Sequence, residues 1–243
     1  AGSYEHVRIR AGGWGGNDMV EAHAAGVAWN ACRFDLSGGR GLRVTAAANG
    51  EIDNMVAWAC AGTGIRLETG QQIRHATAAN CSGIGLQTTH PTAAAINCVS
   101  FGNTGVGYAG FSSGFVNASC GTGWTGGTAN LTVDPQFVNA AAGNLELAST
   151  SPVIDLGELG TAFAIVYDHV DACRISDGLL VSAVAPDMGA FEHVAYRMTV
   201  TGKPWSYGSM TLQVDGSQPG VAYVAFGLGG PPLPIIPYGF LNL

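Results

Sequence analysis

Gly41-Leu42-Arg43-Val44, Gly64-Ile65-Arg66-Leu67, Gly85-Leu86-Gln87-Thr88 and Gly105-Val106-Gly107-Tyr108 are copies of one short strand, and Met19-Val20-Glu21-Ala22 is a weaker first copy. The apolar residue opening each copy falls at Val20, Leu42, Ile65, Leu86 and Val106, at spacings of 22, 23, 21 and 20. A fixed period of this length is the signature of a solenoid, with one supersecondary unit per repeat. A second ladder follows ten to twelve residues behind each anchor: Asn30, Asn54, His75, Asn97 and Asn117. Asn tolerates the left-handed conformation of a tight corner and can bond its own backbone there. Ala28, Ile52, Ile73, Ala95 and Phe115 stand two residues before these corners; Cys32, Val56, Thr77, Val99 and Ser119 stand two after. Small or apolar residues at period two on either side of a polar corner predict strand, bend, strand.

Helical repeats are excluded, because the 37 glycines among 243 residues would each cost about 1 kcal/mol inside a helix. The regular Leu frame of a leucine-rich repeat is missing. Over roughly residues 5 to 125 the pattern resembles the right-handed parallel β-helix of pectate-lyase-like enzymes, tailspikes and bacterial surface proteins. The next segment carries four ordered motifs: Asp134-Pro135-Gln136-Phe137, Leu145-Glu146-Leu147, Ser151-Pro152-Val153-Ile154-Asp155-Leu156-Gly157, and Pro186-Asp187-Met188-Gly189-Ala190-Phe191-Glu192. Their order is similar to the closing segment of secreted bacterial β-helix proteins of the choice-of-anchor Q type. That resemblance implies a secreted or cell-surface protein, and says little about activity.

The expected organisation is all-β: parallel rungs over 1–125, closing rungs and a cap over 126–194, and a small antiparallel module over 195–243. Alternation in Arg197–Thr201, Met210–Val214 and Val221–Phe226 suggests the strands of a β-sandwich-like unit, which reads as incomplete. The chain opens Ala1-Gly2-Ser3 and enters a strand near Val7 to Ile9, as a processed protein or excised fragment would. Charged residues make up 11%, and the net charge is −7. Such a balance disfavours nucleic acid and anionic membranes as partners, and no apolar run is long enough for membrane insertion.

The richest candidate chemistry is an outward strip. Strand side chains alternate faces, so Glu21, Arg43, Arg66 and Gln87, with His23 and Glu68 two residues further along their strands, should project to solvent in a line. Stacked Arg43 and Arg66 could clamp a carboxylate bidentately. The competing reading is a charge-balanced solvent face, with Glu21 beside Arg43 and Glu68 beside Arg66. In the lyases that the fold resembles, such a face lines the sugar cleft, but a lyase also needs a base and a charge neutraliser. This strip has no Lys and no Asp cluster.

Other features have plainer readings. His75 in the corner ladder is a structural substitute for Asn. The series Phe34, Trp58 and Phe101, four residues after Asn30, Asn54 and Asn97, reads as an interior stack, whereas Trp14 is freer to stack on a sugar. The cysteines at 32, 60, 81, 98, 120 and 173 lack C-x-x-C spacing and read mainly as buried thiols, with Cys60 and Cys81 at equal positions in successive rungs. Gly121–Gly126 and Gly110–Gly114 match G-x-G-x-x-G and G-x-S-x-G without the helix that either motif requires. Asp155, Asp187 and Glu192 are calcium candidates or, more simply, caps for backbone N–H groups; no other metal or cofactor is expected.

The reading favours a non-catalytic, extracellular or cell-surface β-helix whose polar face serves carbohydrate binding, adhesion or assembly. A polysaccharide lyase or epimerase acting on an acidic glycan is the alternative, and a structural spacer is the third possibility.

Overall fold

The computed structural model describes residues 3–10, 17–23, 26–45, 51–162, 165–174 and 185–194, and the strands 196–201, 211–216, 233–235 and 239–241. The chain divides into two compact units, Ala1–Val194 and Ala195–Leu243.

The first unit is a parallel β-solenoid of about five turns built from three sheets. Sheet A stacks Ser3–Glu5, Ala28–Asn30, Ile52–Asp53, Gln72–Arg74, Ala94–Ile96 and Val116–Asn117. Sheet B stacks Arg8–Arg10, Arg33–Asp35, Val56–Trp58, Thr77–Ala79, Val99–Phe101 and Cys120–Gly121. Sheet C stacks Val20–Ala22, Leu42–Val44, Ile65–Leu67, Leu86–Thr88 and Tyr108–Ala109. Period-two alternation sends Leu42, Ile65, Leu86 and Tyr108 of sheet C into the core, where they meet Trp29, Ile52, Ile73 and Val116 of sheet A. Strands of two or three residues suffice because each inner strand bonds to the rungs on both sides of it.

Two ladders run in a different phase from the one expected. The left-handed corner between sheets A and B is occupied by Ala31, Asn54, His75, Asn97 and Ala118, with φ of 50°, 54°, 49°, 54° and 45°. Asn30 and Asn117 therefore sit one residue before the corner; Asn30 is the Cα partner of Asp53, and Asn117 that of Ile96. A one-residue slip moves a side chain to the opposite face. Asn30 still serves the corner, since its Oδ1 accepts from Asn54 Nδ2 at 2.9 Å. The fifth strand of sheet C is likewise anchored by Tyr108, the partner of Leu86, and Val106 is 43% exposed. Tyr108 is wholly buried and its hydroxyl donates to the carbonyls of Cys98 and Cys120 at 2.8 and 3.1 Å. That bonding fixes the ring inside, which Val106 could not do.

The same slip splits the expected aromatic stack. Phe34 points inward, in register with Ala57, but Trp58 pairs with Asp35 and Ala79, and Phe101 with Ala79, on the outer face of sheet B. These outer aromatics are covered. Residues 126–194, expected as closing rungs and a cap, add one parallel bridge, Cys120 to Leu131, and then fold back along the wall of the solenoid. The antiparallel pair Phe137–Asn139 and Asn144–Leu147 flanks a 3₁₀ turn at Ala140–Ala142. Leu145, Ala190 and Phe191 pack on Val56, Trp58 and Ala79; Leu147, Val153, Ile154 and Met188 pack on Val99 and Cys120.

Buried Arg174 pins this cover to the corner. Its guanidinium donates to Asn54 Oδ1 at 2.5 Å, to the carbonyls of Ala190 and Gly189 at 3.0 and 3.1 Å, and approaches Glu192 Oε2 at 3.4 Å. Cys32, Cys60, Cys81, Cys98 and Cys120 are buried thiols, and Cys173 is exposed.

In the second unit, Tyr196–Thr201 pairs antiparallel with Thr211–Gly216, and Leu233–Ile235 with Gly239–Leu241. The expected strand at 221–226 lies outside the described residues.

Candidate functional site: a paired polar strip beside a glycine-floored groove

Glu21, Arg43, Arg66 and Gln87 are successive Cα partners on the outer face of sheet C. Each is the middle residue of its strand, flanked by neighbours that point inward, and that alternation alone sets its direction. Arg43 is shared by two acids. Its Nε and Nη2 donate to Glu68 at 3.1 and 2.9 Å, and its Nη1 to Glu21 Oε1 at 2.7 Å. Arg66 Nε lies 2.8 Å from Glu68 Oε1. His23 stands 3.3 Å from Glu21 Oε2 and 2.9 Å from the Thr45 hydroxyl.

Two further charges that the strand pattern did not flag complete the network. Arg40 donates to Asp18 Oδ1 at 2.8 Å, and Arg43 reaches Asp18 Oδ2 at 3.8 Å. Three arginines thus face three carboxylates. The hydrogen bond from Arg43 holds the Glu68 carboxyl below its usual range, and Glu68 in turn raises Arg43. Both groups stay ionised near neutrality, so neither is poised to move a proton. Glu68 already occupies the place between Arg43 and Arg66 that a shared carboxylate ligand would take.

Beside the strip runs a shallow groove, open to solvent, of about 510 Å³, lined by the turns 38–40, 61–63, 82–84 and 104–105 and by Gln87. Its floor is backbone. Gly62, Gly83 and Gly105 each donate their N–H to the carbonyl of the glycine one rung before, at 2.8, 3.1 and 3.0 Å. A Cβ on Gly83 would lie 2.8 Å from the Gly62 carbonyl carbon, so only glycine permits this stacking. Gln87 Oε1 accepts from the Thr63 hydroxyl at 3.4 Å, and Arg40 closes the other end. Four rungs at about 4.8 Å give a groove length of about 14 Å.

The remaining candidates have structural surroundings. His75 is fully buried, 3.1 Å from Asn97 Nδ2, and burial pushes its pKa well down, with Arg174 and Arg74 adding to the effect. Asp187 Oδ1 accepts the Asp155 N–H at 2.7 Å and its Oδ2 the His193 N–H at 2.5 Å; Glu192 Oε2 accepts the Asp187 N–H at 3.1 Å. Asp155 itself adopts the left-handed conformation, at φ 56°. The acidic residues of the closing motifs thereby have a local purpose, the capping of backbone donors in the cover. Among the described residues no group of three or more His, Cys, Asp or Glu side chains could hold a metal ion, and no helix is long and apolar enough to cross a membrane. Trp14 lies outside the described residues.

No family model, curated protein or solved structure matches the chain.

Proposed function

We propose that this protein is a non-catalytic binding scaffold, secreted or displayed at a cell surface, that receives an extended carbohydrate chain in the glycine-floored groove and along the sheet C strip. The groove carries the reading: it is linear, repeats with the rungs, and offers the side chains of Thr63, Gln87 and Arg40 as hydrogen-bonding groups. Sugar hydroxyls suit such a lining, because each can donate and accept. The balanced charge of the strip argues for a neutral or weakly charged glycan over a polyanion. The pairing of Arg43, Arg66, Glu21 and Glu68 argues against a lyase or epimerase on this face, since such chemistry needs an unengaged base. The net charge of −7 disfavours nucleic acid. The choice-of-anchor Q-like order of the closing motifs supports the secreted, bacterial setting.

A glycan array with labelled protein tests the proposal. Wild type should retain one or more glycans. Ser82→Trp, which places a ring in the groove from an exposed position, should lose them with an unchanged melting curve. Arg40→Ala should weaken them. If wild type retains nothing, the spacer reading replaces this one; if Ser82→Trp binds as wild type does, the groove is not where the glycan lies.

A further inference from the structure

On sheet B the outer face changes character along the solenoid axis. One column reads Arg8, Arg33, Val56, Thr77, Val99, Cys120, and the next Arg10, Asp35, Trp58, Ala79, Phe101. The apolar part lies beneath the cover. Where the cover stops, residues 6–8, 31, 33, 142–146, 169–170 and 191 surround a cleft of about 420 Å³, inside the range of about 300–1,000 Å³ usual for small-molecule sites.

Arg8 and Arg33 are Cα partners on adjacent strands, so their side chains run side by side. Both are oriented by the single buried carboxylate of Asp35. Arg8 donates to Oδ2 through Nε and Nη2 at 2.9 and 2.6 Å, and Arg33 donates to Oδ1 through Nε at 2.8 Å. Arg33 Nη2 donates to the Gly143 carbonyl at 2.7 Å. The Nη1 groups of both arginines have no hydrogen-bond partner among the described residues. Two guanidinium groups held by one carboxylate leave one positive charge over, in a chain of net charge −7.

The wall over these arginines is fixed in place. Trp58 Nε1 and Asn80 Nδ2 both donate to the Ala140 carbonyl, at 2.8 and 3.0 Å. Gly143 takes the left-handed conformation at φ 80°, and a Cβ there would come within 3.1 Å of Arg33 Nη2 and of the Trp58 ring. The turn can therefore approach the arginines only as glycine. Glu146 supplies the cleft's own exposed carboxylate, and His6, at the mouth, lies 3.5 Å from Asp171.

We propose that this cleft is a binding site for a small organic carboxylate about the size of a sugar acid, received by the paired Nη1 groups of Arg8 and Arg33. A planar carboxylate matches two parallel guanidinium donors, and the Asp35 tether spares the ligand the cost of ordering them. This site lies on sheet B and does not depend on the groove beside sheet C.

The test is titration calorimetry and amide NMR on the intact chain with glucuronate, and with glucose as its uncharged twin. Glucuronate should bind at least about tenfold more tightly than glucose, and more weakly as salt rises. Arg8→Gln should weaken it by about tenfold or more, Glu146→Gln should strengthen it, and Ser82→Trp should leave it unchanged. Because Arg8→Gln could also loosen the first rung, Ala142→Trp provides a second arm: it blocks the mouth from an exposed position and should abolish binding at an unchanged melting temperature. Equal affinity for glucose, no binding of glucuronate by folded wild type, or full binding by Ala142→Trp would each overturn the proposal.

Discussion

Arg174→Met removes the one cation from the buried cluster that fastens the cover to the solenoid. Methionine fills most of the volume, so the change is chiefly electrostatic. Asn54 Oδ1 and the Gly189 carbonyl lose their donor, whereas the Ala190 carbonyl keeps the His169 N–H and Glu192 Oε2 keeps the Asp187 N–H. Each of these two buried oxygens left without a partner costs about 1–3 kcal/mol. The loss should therefore fall near 2–6 kcal/mol, out of about 5–15 for a whole domain. Urea unfolding followed by tryptophan fluorescence reads it, because Trp58 lies beneath the cover. Native-state hydrogen exchange should place the damage at 185–192 and at the Asn54 corner, with the sheet C strands little changed. A loss below about 1 kcal/mol for the single variant, or protection lost evenly over all rungs, would refute the idea that Arg174 is the fastening.

Three other outcomes follow from the same contacts. Burial raises Asp187 to about 7, and burial with Asp187 nearby raises Glu192 to about 10, from 3.8 and 4.5. Their contribution to stability is complete below about pH 4 and is lost as pH rises through those values; between about pH 7 and 8.5 stability should fall by up to about 1.4 kcal/mol per pH unit, and Glu192→Gln should flatten the slope. Buried His75 and His169 have lowered values, so their contribution is lost in the opposite direction, as pH falls below 6.5. Gly83→Ala, whose Cβ would strike the Gly62 backbone at 2.8 Å, should lower the melting temperature, and Ser82→Ala beside it should not. A thiol reagent should modify exposed Cys173 in the native protein and the five buried cysteines only after unfolding, with burial holding Cys98 up to about 12 and Cys120 up to about 11.

The solenoid and the orientation of the strip were legible because both rest on alternation around the repeated Gly-apolar strand. Phase was harder to read. Asn30-Ala31 and Asn117-Ala118 offer the corner an Asn one residue early, and choosing the Asn gave corner spacings of 24, 21, 22 and 20. The occupied positions 31, 54, 75, 97 and 118 are spaced 23, 21, 22 and 21, so regularity was the better guide than residue type. Tyr108 in place of Val106 likewise evens the sheet C spacing, to a final step of 22. That slip hid the outward direction of Trp58 and Phe101, and with it the need for a cover. The charge pairing of the strip was legible in part, because Glu21, Arg43, Arg66 and Glu68 sit on the strands or next to them. Asp18 and Arg40 lie in turns, where no period fixes direction. The sheet B cleft draws on five distant segments, and only Arg8-Ile9-Arg10 and Arg33-Phe34-Asp35, alike in frame, hinted at it.

The amide resonances of Gly39, Gly62, Gly83 and Gly105 report on the groove floor itself. Titrating ¹⁵N-labelled protein with the strongest glycan from the array should shift these four together, along with Thr63 and Gln87, and Ser82→Trp should erase the shifts. Shifts confined to other surfaces, or four glycine signals that stay still at saturating glycan, would contradict the placement of the ligand on this face.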